Sequence, residues 1–153
     1  MSIRIDLPNL AELDAKLKAL PDNVQKRIGS RALKNAALNC AQVAKANCPR
    51  KSGQLLASIT IRKKRSRRYK GACYSVRCGA GMFKGDTFYG GFLEYGYLHG
   101  SRKLGPMRKF IPAKPFLRPA FDATRSSNIA MIQKNVAEGI DKYMAKKGIP
   151  QGT

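Results

Sequence analysis

The chain has 153 residues, enough for one domain with a real hydrophobic core, and its 43% hydrophobic content excludes wholesale disorder. Lys and Arg number 30 against 9 Asp and Glu, a formal charge of +21, which favours a polyanion or an acidic protein surface as partner. No apolar run approaches the roughly 20 residues that span a bilayer, and the N-terminus lacks the apolar core of a signal peptide, so no membrane partner is expected.

The basic excess is spread over all three thirds of the chain, so it belongs to the fold and not to a detachable tail. Residues 1–153 read as one domain: a short helix to residue 21, a core over 22–147 and a tail at 148–153. The first helix starts at Asn9, whose spacing to Glu12 resembles a capping box. Leu10, Leu13, Leu17 and Leu20 then recur at helical spacing up to Pro21. Asp22 with Gln25 repeats the start signal, and the periodicity predicts a second helix to about Asn47, stopped before Pro49. On a helical wheel Arg27, Arg31, Lys34 and Lys45 fall within about 60° of one another, beside an arc of Val24, Ile28, Ala32, Ala36, Cys40 and Val43. A solvated face opposite a core face explains most of this. Leu38 falls among the basic positions and is expected to touch something outside the chain.

After the turn Lys51-Ser52-Gly53 the period changes to two, with Leu55, Ala57, Ile59 and Ile61 on one side, so a strand is expected. A second strand follows at 72–79. Between them Arg62, Lys63, Lys64, Arg65, Arg67, Arg68 and Lys70 make a charged finger, denser in like charge than solubility alone requires. The glycine-rich aromatic block at 88–95 suits a tight turn or a short strand. Residues 96–118 then read as an extended arm, too polar and turn-rich to bury itself and long enough to be functional. Pro119 suits a helix start, and Phe121, Ile129, Ile132, Val136, Ile140, Tyr143 and Met144 share one apolar arc up to Lys146, with Gly148 as the stop. The predicted class is α+β: a small antiparallel sheet with a long basic β-hairpin, packed against N-terminal and C-terminal amphipathic helices.

Cys40, Cys48, Cys73 and Cys78 show no CxxC and no paired histidine spacing, so they are expected to be reduced, small apolar residues of the interior. The lone histidine, His99, lies in the arm, which argues against zinc. No catalytic motif, cofactor loop or metal set is present. Glu94 and His99 form the one conceivable acid–base pair, and without a nucleophile or metal a hydrogen-bonding role for Glu94 is the better expectation. No catalytic residue, cofactor or metal is therefore expected. The pI near 10.3, with Tyr69 and Tyr74 beside the finger, fits sequence-independent attraction to phosphate, without a recognisable reader of bases.

Three stretches carry a resemblance. They are Cys48-Pro49-Arg50-Lys51-Ser52-Gly53-Gln54-Leu55-Leu56-Ala57-Ser58-Ile59, then Tyr89-Gly90-Gly91-Phe92-Leu93-Glu94-Tyr95-Gly96, then Pro112-Ala113-Lys114-Pro115-Phe116-Leu117-Arg118-Pro119-Ala120-Phe121. In this order they resemble the gene-ten-like tail-component family of long-tailed bacteriophages. Gly90 stands where that family usually has Ala, and Tyr97 where it usually has Thr. The resemblance implies a non-enzymatic tail-completion or head–tail joining protein, a hexameric ring between connector and tail tube. Its expected location is the neck of the virion, with assembly in the host cytoplasm and connector or adaptor and tail-tube or terminator proteins as neighbours. A ring subunit needs two different contact surfaces. Phe92, Glu94, Tyr95, Phe110, Ile111, Pro115, Phe116 and Arg118 are the expected subunit contacts, and the finger is expected to meet packaged double-stranded DNA or an acidic neighbour. The competing reading is a free basic nucleic-acid-binding protein without catalytic activity.

Overall fold

The computed structural model describes residues 10–49, 53–65, 72–79, 88–99 and 109–148. The expected cap at Asn9, the finger residues Arg67, Arg68 and Lys70, arm residues 100–108 and tail residues 149–153 lie outside them. The elements run α1 (Leu10–Lys18), α2 (Asp22–Asn47), α3 (Gln54–Ser58), β1 (Ile59–Arg65), β2 (Ala72–Cys78), α4 (Tyr89–Tyr95), β3 (Tyr97–His99), β4 (Lys109–Ile111) and α5 (Leu117–Lys147). The class is α+β, with β1 paired antiparallel to β2 and β3 antiparallel to β4.

Helix α2 is the spine. Its residues 24, 28, 32, 36, 40 and 44 form an unbroken i, i+4 row, all buried. Most are small, so the β1–β2 hairpin and α5 both approach closely. The two long helices run antiparallel: Ile28 meets Gly139, and Asn39 Nδ2 donates to Asn128 Oδ1 at 2.8 Å. One apolar cluster gathers Leu20, Val24, Ile28, Ala32, Val136 and Ile140. The other is built on Phe116, Ile59 and Cys78 with Ala41, Ala44, Cys48, Leu55 and Ala120.

Gly139 is required by the helix pairing. A Cβ there would lie 2.8 Å from Ile28 Cγ2 and 3.2 Å from Cγ1, and a β-branched side chain has little room to turn away. Gly139→Ala gains up to about 1 kcal/mol of helix propensity but overpacks the interface by roughly 1–3 kcal/mol. The expected net result is a loss of about 1 kcal/mol in urea unfolding; a stabilised variant would show that α2 and α5 can separate freely.

Three sequence expectations are corrected. Residues 54–58 form a helical turn and not the start of the strand: Ala57 N–H donates to Gly53 O at 2.9 Å and Ser58 Oγ to Leu55 O at 2.7 Å. Leu55 and Ile59 are then buried at i, i+4, while Ala57 is exposed. The block at 89–95 is also helix, because Gly90 lets α4 sit against Leu55 and Cys78, whose atoms would be 3.1 and 3.3 Å from an added Cβ. The arm is partly ordered, since β3 and β4 pair Tyr97 with Ile111 and Leu98 with Phe110. The closing helix starts two residues before Pro119, and Gly148 ends it at φ 65° with its N–H on Ala145 O.

Three cysteines are buried as expected, but Cys73 is exposed on β2. Burial pushes the Cys78 thiol up to about 11, helped by Cys48 and Glu94 nearby, and burial also raises Cys48. Between pH 9 and 11 the unfolded thiol ionises while folded Cys78 keeps its proton, so the unfolded state binds fewer protons and stability falls as pH rises. At pH 8 a thiol reagent is expected to modify Cys73 within minutes and the buried cysteines only on unfolding. The alkaline decline should be shallower in Cys78→Ala.

Candidate functional site

A joint between α4 and α5 positions the arm. An α-helix begins with four backbone N–H groups that lack intrahelical partners. At the start of α5, Glu94 Oε2 accepts from the N–H groups of Phe116 (2.9 Å) and Leu117 (3.0 Å), and Oε1 accepts from Arg118 (2.9 Å). The fourth position is Pro119, which has no N–H. One buried carboxylate and one imino acid therefore account for the whole helix end, and the negative charge lies on the positive end of the helix dipole. Phe116 fills the core below at 0% exposure.

The strands of the arm leave this joint through Gly96. Its φ of 75° and ψ of 170° are accessible essentially to glycine alone, and an added Cβ would stand 2.9 Å from Ile111 O and 3.0 Å from Ala113 N. Lys114 N–H closes the far side on Leu93 O at 2.7 Å. Phe92 is half-buried, edge-on to Phe88 at 5.8 Å and tilted against Tyr97 at 5.2 Å.

The expected contact residues thus divide. Tyr95 and Phe110 are 55% and 60% exposed, and Pro115 and Arg118 are exposed too, while Ile111 is half-buried; Leu98, outside the expected set, is 58% exposed on β3. Phe116 and Glu94 are buried within the subunit, so Phe116 is not an exposed residue of the arm. The expected hydrogen-bonding role of Glu94 is what the geometry provides. An acid–base pair with His99 is not formed: both Glu94 oxygens hold backbone donors, and His99 is exposed on β3, its ring edge-on to Tyr97.

The described part of the finger joins a larger basic surface through Lys63. Arg62, Lys63 and Lys64 are exposed on β1, which Arg65 closes. Lys63 shares a shallow recess of about 380 Å³ with Lys26, Arg27, Arg31 and Lys34 of α2, lined also by Ser30 and Tyr74, whose hydroxyls are hydrogen-bonded at 2.9 Å. Arg27 and Arg31 also line a second recess of about 330 Å³ with Lys142 and Lys146 of α5. Lys26 has Asp22 at 3.2 Å and Lys142 has Glu138 at 3.8 Å; among the described residues no carboxylate pairs with Arg27, Arg31, Lys34, Lys63 or Lys146. Sequence periodicity alone keeps the α2 face and the finger apart and gives Lys146 to the helix end. The i, i+4 spacing of Lys142 and Lys146 is the sign in the sequence that both face one way. Lys45, placed in this group by the wheel, is half-buried away from both recesses.

Among the described residues no His, Cys, Asp and Glu side chains group in metal-binding number, and no helix is long and apolar enough to cross a membrane. Residues 11–96 match the family model "Bacteriophage HK97-gp10, putative tail-component", a stretch from α1 to the end of the joint at Gly96. Among curated proteins and solved structures nothing matches.

Proposed function

The chain belongs to the HK97-gp10-like family of bacteriophage tail components, a structural class carried in the virion, and from that membership we propose a tail-completion or head–tail joining role. In this reading copies assemble in the host cytoplasm into a hexameric ring between connector and tail tube and catalyse nothing. The family match over α1 to α4 carries the reading. Two features support it. The exposed apolar side chains of β3 and β4, Leu98 and Phe110, offer one contact for a neighbouring subunit. The basic surface of α2, β1 and α5 offers a different face to packaged double-stranded DNA or an acidic neighbour.

Imaging tests the role directly. Particles made without the chain should show heads and tails that fail to join, and added protein should restore a ring of density at the junction; joined particles in its absence would remove the proposal. Reversing Arg27, Arg31, Arg62, Lys63 and Lys64 to Glu should leave unfolding within about 0.5 kcal/mol of wild type, because these side chains are exposed. Infectious titre should nevertheless fall at least about tenfold, since each phosphate that the wild-type surface neutralises adds about one unit to the salt slope of binding. An unchanged titre would count against the surface.

The basic surface also favours a second reading, a free nucleic-acid-binding protein. Tight DNA binding by the isolated chain at physiological salt, abolished by the same reversals, would select it over the neck role.

A further inference from the structure

An open groove of about 740 Å³ lies between β2 and α5, with α2 as its floor. Residues 72–76 of β2 line it consecutively and no residue of β1 does. Since β1 occupies the other side of β2, the groove runs along the edge of the sheet that no strand among the described residues pairs with. A strand edge of this kind carries backbone donors and acceptors ready to pair with an added chain. Opposite it, α5 presents Arg118, Phe121, Arg125, Ile129 and Ile132, which recur at helical spacing along one stripe. Phe121 is 58% exposed, so this part of the apolar stripe is not covered by the subunit's own core. Arg118 and Arg125 flank it at one end, and among the described residues neither has an ion pair.

We infer that this groove docks an extended segment of a neighbouring tail protein that alternates apolar and acidic residues, adding a third strand to β2 and setting its carboxylates on Arg118 and Arg125. Charge decides the occupant. Were a second copy of this chain to insert its arm, it would bring residues 96–118, which contain no acid but do contain Arg102, Lys103, Arg108 and Lys109. Those cations would stand against two arginines, whereas an acidic strand gains charge-assisted, bidentate bonds there and apolar cover for Phe121 and Ile129. The identity of the partner as a tail protein rests on the structural role proposed above; the groove and its preference do not.

The test pans random peptides about eight residues long on the purified chain. Enriched sequences should alternate apolar residues and carry Asp or Glu. They should also slow alkylation of Cys73, which is exposed on β2 within the groove. Affinity should drop about tenfold or more in Arg118→Glu/Arg125→Glu, which must melt like wild type to be read. No enrichment, enrichment of basic peptides, or stronger protection of Cys73 by a peptide of residues 96–112 would overturn the inference; the last outcome would assign the groove to a second copy. Failure here with heads and tails still joined by the chain leaves the neck role standing, and peptide binding by a chain dispensable for joining does the reverse.

Discussion

Glu94→Gln is expected to lower the unfolding free energy by about 3 kcal/mol. The carboxylate offers acceptor oxygens to all three N–H groups at the start of α5, at 2.9 to 3.0 Å. An amide keeps one oxygen and turns an NH2 toward donors that cannot accept it. At least one backbone N–H is then buried without a partner, and the charge that complements the helix dipole is lost. Aspartate is expected to be a poor substitute, because its shorter side chain cannot span the same three donors from α4. Urea unfolding measures the loss, and amide exchange at residues 116–118 should rise together with it. Exchange that stays slow at these three positions would show that the carboxylate is not what holds the helix end.

Phe116→Ala is expected to cost about 4 kcal/mol, in the range for emptying a buried aromatic site, and to lower the melting temperature by roughly 10 °C. The ring is fully buried and shares a core with Ile59, Cys78, Ala44 and Ala120. Any assembly defect in this variant should follow its loss of stability, and Phe116→Leu should recover most of both. Phe110→Ala provides the contrast. That side chain is 60% exposed, so unfolding should change by no more than about 0.5 kcal/mol while ring formation fails. Phe116→Ala with near-native stability and no assembly would return Phe116 to the subunit contact.

The long elements are legible in the sequence because their periods are long. The buried row of α2 follows the predicted arc from Val24 to Cys40, with Ala44 rather than the half-buried Val43 closing it, and the Gly148 stop of α5 falls where the sequence places it. The two predicted strands pair as a hairpin, β1 being shifted to 59–65 so that it takes in Arg62–Arg65 of the finger. The short elements are not. Gly90 and Gly91 lower helix propensity, yet α4 is helical, and Gly90 is buried against Leu55 and Cys78, where an added Cβ would lie 3.1 and 3.3 Å away and ask its neighbours to shift slightly. At residues 55–61 the alternation that suggests a strand is equally an i, i+4 pair, Leu55 and Ile59, and tertiary burial decides for the helical turn. The role of Phe116 is hidden by Pro115 and Pro119, which read as an exposed arm while the donors between them await an acid 22 residues earlier. The basic surface is visible only in pieces, because periodicity assigns faces to each element without saying which elements share them.

Both ends of the stretch at 97–111 are pinned close together, by Leu93 and Glu94 on one flank and by Lys114 and the start of α5 on the other. The strands between them behave as a cassette in a frame. Closing a longer loop across fixed posts adds only about 0.6 kcal/mol for each doubling of its length. Lengthening the stretch between β3 and β4 is therefore expected to leave the Glu94 joint at the start of α5 intact.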